Sequence, residues 1–268
     1  MIESLVYVIV FCLGLAVGSF LNVVIIRGNN GEALRGRSHC AHCSALLSWG
    51  ELVPVASFFI QRARCRHCRS EISWQHPLVE LACATGYVAA LWILISDGLW
   101  MSMHPLAFVG LAIGIPAVLV VLVSDFRFQT IPDGATLILG MIGLGAVIVR
   151  SAALPTETIR IASYDLGAAI LAGSVLGGLW YFSRGRWMGF GDVKLIFATS
   201  LILGSPASLA AFLFAFWSGG IAGVLLLLSG KKRMRERIPF GPFILLGSVF
   251  AWFFSPLFLN RVGLGILM

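Results

Sequence analysis

The chain has 268 residues, of which 59% are hydrophobic and only 12% are charged. Soluble domains carry about a quarter charged residues, so the composition excludes an ordinary soluble protein and predicts an integral membrane protein. The formal net charge of +7 at pH 7 does not require nucleic acid, because lysine and arginine collect in the cytoplasmic loops of membrane proteins. We therefore expect membrane lipid, and no nucleic acid, among its partners.

Hydropathy predicts an all-α polytopic protein with about eight membrane spans. The first span, 5–26, is long enough to cross a bilayer and contains Asn22 near its end. A polar residue there either forms an interhelical hydrogen bond or belongs to the functional site. The other spans are 79–96, 105–124, 133–149, 164–182, 192–204, 207–229 and 239–259. The sixth is short, and the turn Gly204-Ser205-Pro206 follows it.

Residues 27–77 interrupt the apolar pattern with two C-x-x-C pairs that have twenty-one residues between them. Their cysteines are Cys40, Cys43, Cys65 and Cys68. Four thiolates at this spacing close a tetrahedral zinc site with no open position for water, so we predict a structural zinc. His42 and His67 are the alternative ligands. So short a region buries little core, and the metal would supply its folding free energy.

These features divide the chain into three predicted parts. A first transmembrane helix occupies 1–26, the four-cysteine domain 27–77, and a seven-helix transmembrane domain 78–268. The two remaining cysteines, Cys12 and Cys83, lie in spans and fit ordinary apolar packing.

The distribution of basic residues predicts the orientation. Placing the cysteine domain in the cytoplasm puts sixteen of the nineteen lysines and arginines on that side, including the run 231–237. Only Arg150, Arg160 and Arg261 fall outside. This asymmetry favours eight spans with both termini outside, and the basic run also suits anionic lipid.

Four acidic residues lie at the cytoplasmic edge of predicted spans: Glu80, Asp125, Asp133 and Asp192. Charge at membrane depth is costly, so ionisable residues there are functional candidates. Asp125 ends the third span and Asp192 begins the sixth, which puts both at one depth on one face. Two aspartates brought close share a proton, so that one acts as general base on water and the other as general acid. Such a pair hydrolyses a peptide bond without a metal or a covalent intermediate.

Each of these polar residues also has a structural interpretation. Asp133 follows Pro132 and opens the fourth span, where the helix dipole favours an acid, so we expect it to cap that helix. Glu80 is expected to pair with a loop arginine. Lys194 would extend towards the lipid headgroups.

The segment from Gly189 to Lys194 opens the sixth span around Asp192. Asp192 stands at a helix start, so capping competes with a catalytic role. Gly189 and Gly191 let the backbone approach a neighbour closely and adopt conformations that other residues avoid.

Together these residues resemble the bacterial prepilin peptidases, the membrane aspartic proteases of type IV pilus and type II secretion systems. The similarity covers nearly the whole chain. Its segments are Gly18 to Val24, Arg37 to Cys43, Trp49 to Glu80, Asp125 with Ile131-Pro132-Asp133, and Gly189-Phe190-Gly191-Asp192 with Lys194. A lone G-x-G-D is a weak signal, whereas this order and topology are highly specific.

The resemblance implies cleavage of the short basic leader of prepilins or pseudopilins, after a glycine, on the cytoplasmic face of the bacterial inner membrane. It assigns catalysis to Asp125 and Asp192 and supporting roles to the other motif residues, which are Gly189, Gly191, Lys194 and Asp133. Many family members also methylate the new N-terminus with S-adenosylmethionine. The chain departs from the usual pattern at Ala41 and over 27–30, which bears on methyl transfer more than on cleavage.

Two other functions are consistent with parts of the sequence. One is a non-enzymatic, zinc-stabilised membrane assembly factor of a pilus or secretion system, which gives no reason for two aspartates on one face. The other is a transporter whose acids carry protons, which would favour acids in mid-span. The separation of the Asp125 and Asp192 carboxyls distinguishes the peptidase from both, because a shared catalytic water requires that they approach each other.

Overall fold

The structure, a computed structural model, describes residues 2–96, 105–153, 155–229 and 238–261. Within these ranges the regular elements are nine α-helices and two single 3₁₀ turns, at Trp49–Glu51 and Pro155–Glu157. The helices are α1 (Ile2–Asn30), α2 (Ala56–Ile60), α3 (Gln75–Ser96), α4 (Pro105–Phe128), α5 (Asp133–Ala153), α6 (Thr158–Ser183), α7 (Phe190–Leu203), α8 (Ala207–Leu228) and α9 (Gly241–Arg261). The predicted all-α polytopic class is confirmed.

A helix forms at each of the eight predicted spans, because backbone groups in lipid must satisfy one another. Six of these helices are long and apolar enough to cross a membrane: α1, α3, α4, α5, α6 and α8. The apolar stretch Gly241–Phe254 of α9 is shorter than these six helices, and α7 has only 14 residues. At 1.5 Å per residue α7 is about 21 Å long, less than the ~30 Å hydrocarbon layer. The basic run 231–237 lies outside the described residues.

The chain separates into two compact units, 1–120 and 121–268. In the first unit, α1 packs closely against α3 at two glycines. A Cβ at Gly14 would lie 2.5 Å from the Cα of Ala84, and one at Gly18 would lie 2.6 Å from the Cα of Glu80. Small residues of this kind let membrane helices approach to backbone contact.

Polar contacts in the same unit join the C-terminal part of α1 to the N-terminal end of α3. Asn22 donates from Nδ2 to the carbonyl of His76 at 3.1 Å and accepts from Nε2 of Gln75 at 3.2 Å. Of the two roles open to Asn22, the interhelical hydrogen bond is therefore the one that the structure shows. The prediction for Glu80 was wrong: its Oε2 accepts the backbone N–H of Val55 at 2.7 Å and does not pair with a loop arginine. The backbone N–H of Val55 does not neutralise the charge of Glu80, but it provides a hydrogen bond to this buried carboxylate.

In the second unit α7 lies at the centre, packed against α5, α6, α8 and α9. Leu195 and Ile196 of α7 are fully buried. Close approach again occurs at a glycine, since a Cβ at Gly143 of α5 would lie 2.6 Å from the Cβ of Leu201. The short helix is thus held on several sides, which positions the residues at its N-terminus.

A network that the sequence analysis missed holds the other end of α7. Arg150 donates from Nε to Oδ2 of Asp165 at 2.9 Å, and from its two terminal nitrogens to the carbonyls of Ile202 and Leu201 at 2.8 and 2.7 Å. Oδ1 of Asp165 accepts the backbone N–H of Ser205 at 2.7 Å. The last carbonyls of a helix have no partner within it, so Arg150 satisfies groups that would otherwise be buried unpaired.

Candidate active site and metal centre

Asp125 lies in the last turn of α4 and is buried. Its Oδ2 accepts a 2.8 Å hydrogen bond from the backbone N–H of Gly241, the first residue of α9. A Cβ at position 241 would lie 2.7 Å from that same oxygen, so a residue with a side chain would displace the carboxylate. The absence of a side chain at Gly241 is what permits this contact.

Asp192 lies in the first turn of α7 and is also buried. Its Oδ2 accepts the backbone N–H of Gly189 at 3.2 Å, which is a helix-capping contact. Its Oδ1 is buried without a hydrogen-bond partner in the part of the chain that the structure describes. Capping and a chemical role therefore do not compete, because each uses a different oxygen.

Both aspartates line one cavity of about 1300 Å³ within the second unit. Each carboxylate is oriented by one backbone N–H, from Gly241 or from Gly189. A pair of carboxyls held in this way on one cavity has the parts needed for general acid–base hydrolysis.

The two motif glycines have different roles. Gly191 is the close-approach position, because a Cβ there would lie 2.8 Å from the Cβ of Ile131. Gly189 has an ordinary extended backbone, with φ −79° and ψ 153°. Its contribution is the N–H that reaches Asp192, and not an unusual conformation.

Asp133 and Lys194 form an ion pair with each other. Asp133 begins α5 as predicted, but its side chain is 82% exposed and does not line the cavity of Asp125 and Asp192. Lys194 also lies over the ring of Phe190, with its Nζ 5.4 Å from the ring centroid. The lysine is therefore engaged by protein groups on α5 and α7.

Most of the other cavity-lining side chains were not anticipated from the sequence. They include Gln129, Arg186, Trp187, Phe216, Phe240 and Phe243. All of them except Phe216, which lies in the middle of its predicted span, share one sequence signal: they lie near the ends of predicted spans on the same side as Asp125 and Asp192. That signal is too general to single them out, since many apolar residues share it.

The four predicted zinc ligands come together in the first unit. The Sγ atoms of Cys40, Cys43, Cys65 and Cys68 all lie within 4.8 Å of one another. Cys40 and Cys68 are 3.9 Å apart at sulfur. Zinc–sulfur bonds of about 2.3 Å in a tetrahedron place the sulfurs about 3.8 Å apart, so the donor set fits a Zn²⁺ ion. His42 and His67 are not members of the group.

The two cysteine turns have matching backbone structure. The N–H of Cys40 donates to Ala45 and that of Cys65 to Ser70, both at 2.9 Å. A hydrogen bond from the backbone N–H of Cys43 lowers the pKa of the Cys40 thiol to about 6. Hydrogen bonding to Ser70 lowers the pKa of Cys68. These two turns favour the metal-binding thiolate form at Cys40 and Cys68, whereas burial and the neighbouring thiols raise the pKa of Cys43 to about 11.

Two family models match the chain. The bacterial peptidase A24 N-terminal domain matches residues 12–94, and the type IV leader peptidase family matches residues 112–224. No solved structure shows a significant match.

Curated relatives are similar over almost the full length. A "Prepilin leader peptidase/N-methyltransferase" of Burkholderia pseudomallei (strain K96243) is 32% identical over 94% of this chain and 86% of its own. Proteins of the same name from Bacillus subtilis (strain 168) and Legionella pneumophila are each 29% identical, over 92% and 95% of this chain and 94% and 93% of their own. The chain therefore belongs to the type IV leader peptidase family.

Proposed function

We propose that this protein cleaves the short basic leader of type IV prepilins or pseudopilins, with Asp125 and Asp192 as the catalytic pair. The observation that carries the proposal is the placement of two buried aspartates, from α4 and α7, on one cavity. The names of the relatives supply the substrate class.

In this mechanism one carboxylate takes a proton from water, and the resulting hydroxide attacks the carbonyl carbon of the scissile bond. The other carboxyl donates its proton to the leaving nitrogen as the C–N bond breaks, so the pair ends with one proton as it began. The N–H groups of Gly241 and Gly189 each hold one carboxylate oxygen and leave the second oxygen for this chemistry. No covalent intermediate forms.

The position of the pair fits a substrate that lies partly in the membrane. Asp125 is in the last turn of one membrane helix and Asp192 in the first turn of another. A prepilin presents a polar leader outside the bilayer and an apolar helix within it, so its scissile bond falls at this edge. The excess of lysine and arginine in the loops on that side supports a position of the pair at the cytoplasmic face of the inner membrane.

The second activity in the relatives' names is N-methylation, which we propose for this chain with S-adenosylmethionine as the donor. The donor would supply the methyl group for the new N-terminal amine. Nothing in the described residues marks where it binds, so no residue is assigned to this step.

The four cysteines would hold a structural Zn²⁺ ion. All four positions of a tetrahedral ion are filled by protein thiolates, which leaves no position for a substrate or a reacting water. The metal would fold the region between α1 and α3 and take no part in hydrolysis.

Two alternative functions, a membrane assembly factor and a proton transporter, are consistent with fewer features of the structure than a peptidase is. An assembly factor needs the cysteine group but not two buried carboxyls on one cavity. A transporter needs acids in mid-span, whereas Asp125 and Asp192 lie in terminal turns of their helices.

The direct test is incubation of the purified protein, in lipid, with a purified prepilin, followed by mass spectrometry of the product's N-terminus. We expect loss of the leader at a single bond, with methylation only when S-adenosylmethionine is added. Intact prepilin after incubation with wild-type protein that retains its thermal unfolding transition would reject the peptidase.

A further inference from the structure

Large apolar side chains are exposed at the end of α2 and directly before α3. Phe59 is 57% exposed, Ile60 69%, and Trp74 60%. The rings of Phe59 and Trp74 are 6.2 Å apart, and both pack on the buried ring of Phe58. Clustered aromatic exposure of this kind marks an interaction surface, unlike single exposed apolar residues. We refer to Phe59, Ile60 and Trp74 as the apolar patch.

The depth of this patch follows from its contacts with α3. The span Gln75–Ile95 has 21 residues, about 31 Å of helix, so its full length is needed to cross the ~30 Å hydrocarbon layer. Trp74 directly precedes that span. Glu80 lies five residues into it, about 7–8 Å along the axis, and its Oε2 accepts the N–H of Val55 at 2.7 Å. The chain from Val55 into α2 therefore lies beside the first turns of α3 and not above them.

The charges next to the patch suit a bilayer surface. Four exposed arginines follow α2 directly: Arg62, Arg64, Arg66 and Arg69. Aromatic rings beside arginines are the composition of segments that lie in the membrane interface, where rings enter the acyl boundary and cations meet phosphates. A soluble protein partner would explain why the aromatic rings are exposed. It would not explain why they lie beside the first turns of α3, at the depth of the membrane interface.

We propose that the apolar patch is a membrane-docking surface. Phe59, Ile60 and Trp74 insert among the acyl chains at the bilayer interface, and the four arginines bind anionic phospholipid headgroups. The cysteine region is then seated in the membrane surface and is not a free aqueous domain. This inference does not depend on the peptidase activity, since it rests only on residues of the first unit.

The test places a photoreactive benzophenone amino acid at position 60 of the full-length protein in lipid nanodiscs containing phosphatidylglycerol. The matched control carries the same probe at Leu46, an aliphatic residue of the first cysteine turn with 56% exposure. After illumination, mass spectrometry identifies the adducts. We expect phospholipid adducts at position 60 to exceed those at position 46 several-fold. Retained zinc in both variants shows that the region is folded.

Two outcomes would overturn the proposal. Equal yields of phospholipid adducts at positions 60 and 46 would show that the patch contacts the bilayer no more than an exposed control position does. Adducts at position 60 to another segment of the chain, to a second copy, or to a protein of defined mass in cells would show that protein covers the patch. A second probe at Phe59 gives the same readings if the variant at position 60 does not fold.

Discussion

Gly241 and Asp125, 116 residues apart in the sequence, are joined by a 2.8 Å hydrogen bond from the backbone N–H of the glycine to Oδ2 of the aspartate. The contact ties the start of α9 to the end of α4 and leaves no room for a side chain at position 241. We therefore expect Gly241→Ala to lower kcat for leader cleavage by about 10- to 100-fold, because it would displace the proposed catalytic carboxylate of Asp125 from its alignment.

The matched control for that substitution is Gly145→Ala, since a Cβ at Gly145 meets nothing within 4 Å. It should leave kcat unchanged. Equal rates for Gly241→Ala and wild type would show that the hydrogen bond does not position Asp125.

The proposed catalytic pair is tested by Asp125→Asn and Asp192→Asn. Each amide lacks half of the acid–base pair, so we expect each variant to lose about 10³-fold or more in cleavage rate, and the double variant to lose little further. Rates are measured on purified proteins in lipid, with matched amounts of folded enzyme.

Asp133→Asn is the control, because the exposed Asp133 carboxylate pairs with Lys194 outside the cavity. We expect near-normal cleavage from it. An inactive Asp133→Asn together with an active Asp125→Asn would transfer the catalytic role to Asp133.

The Arg150–Asp165 pair should contribute to stability. Asp165→Asn removes the charge that faces Arg150, and a broken buried pair costs about 3–5 kcal/mol. Arg150 is 32% exposed, so solvent screening reduces the expected loss to about 2–3 kcal/mol. Thermal unfolding in detergent, followed by tryptophan fluorescence, should show a Tm lower by about 5 °C or more.

The comparison is Arg160→Gln, which breaks the more exposed pair between Arg160 and Glu157. Surface pairs contribute about 0–1 kcal/mol, so the Tm should hardly change. If both variants unfold at the same temperature, the network at the end of α7 does not stabilise the protein.

The metal site predicts one zinc per chain in protein purified under reducing conditions. Replacing Cys40 and Cys43 by serine should abolish the zinc and loosen the region between α1 and α3, with partial loss of cleavage. Cys12→Ser is the control, because Cys12 lies on α1 outside the cysteine group. Elemental analysis gives the stoichiometry, and a metal content near zero with the region still folded would remove the site.

Substrate recognition should depend on backbone fit at the scissile bond more than on leader charge. The surroundings are basic, with sixteen of nineteen lysines and arginines assigned to the cytoplasmic side, so bulk attraction does not hold a basic leader. A bulky residue in place of the substrate glycine before the bond should block cleavage, whereas neutralising one leader lysine should only slow it. The reverse result, measured with purified enzyme in lipid, would show that recognition is electrostatic.

The sequence by itself determined the class of the protein, its helices and the cysteine group. Hydrophobic runs must be helical in lipid, so the eight predicted spans coincide with helices. Two C-x-x-C pairs in one short polar region are expected to bind a single metal ion together, and the four sulfurs do lie close to one another. Family motifs and depth singled out Asp125 and Asp192, and the structure places both on one cavity.

Only the tertiary structure decided which group each polar side chain meets. Hydropathy gives depth but not rotation about a helix axis, so it could not tell that Gly241 faces Asp125 or that Asp133 turns away to Lys194. The same limit hid Arg150, whose partners lie on α6 and α7. The prediction for Glu80 was wrong because its partner is the backbone N–H of Val55. Nearly every residue has a backbone N–H, so the sequence does not indicate which one a carboxylate will meet. Contacts between distant segments depend on packing, and packing is a property of the whole fold.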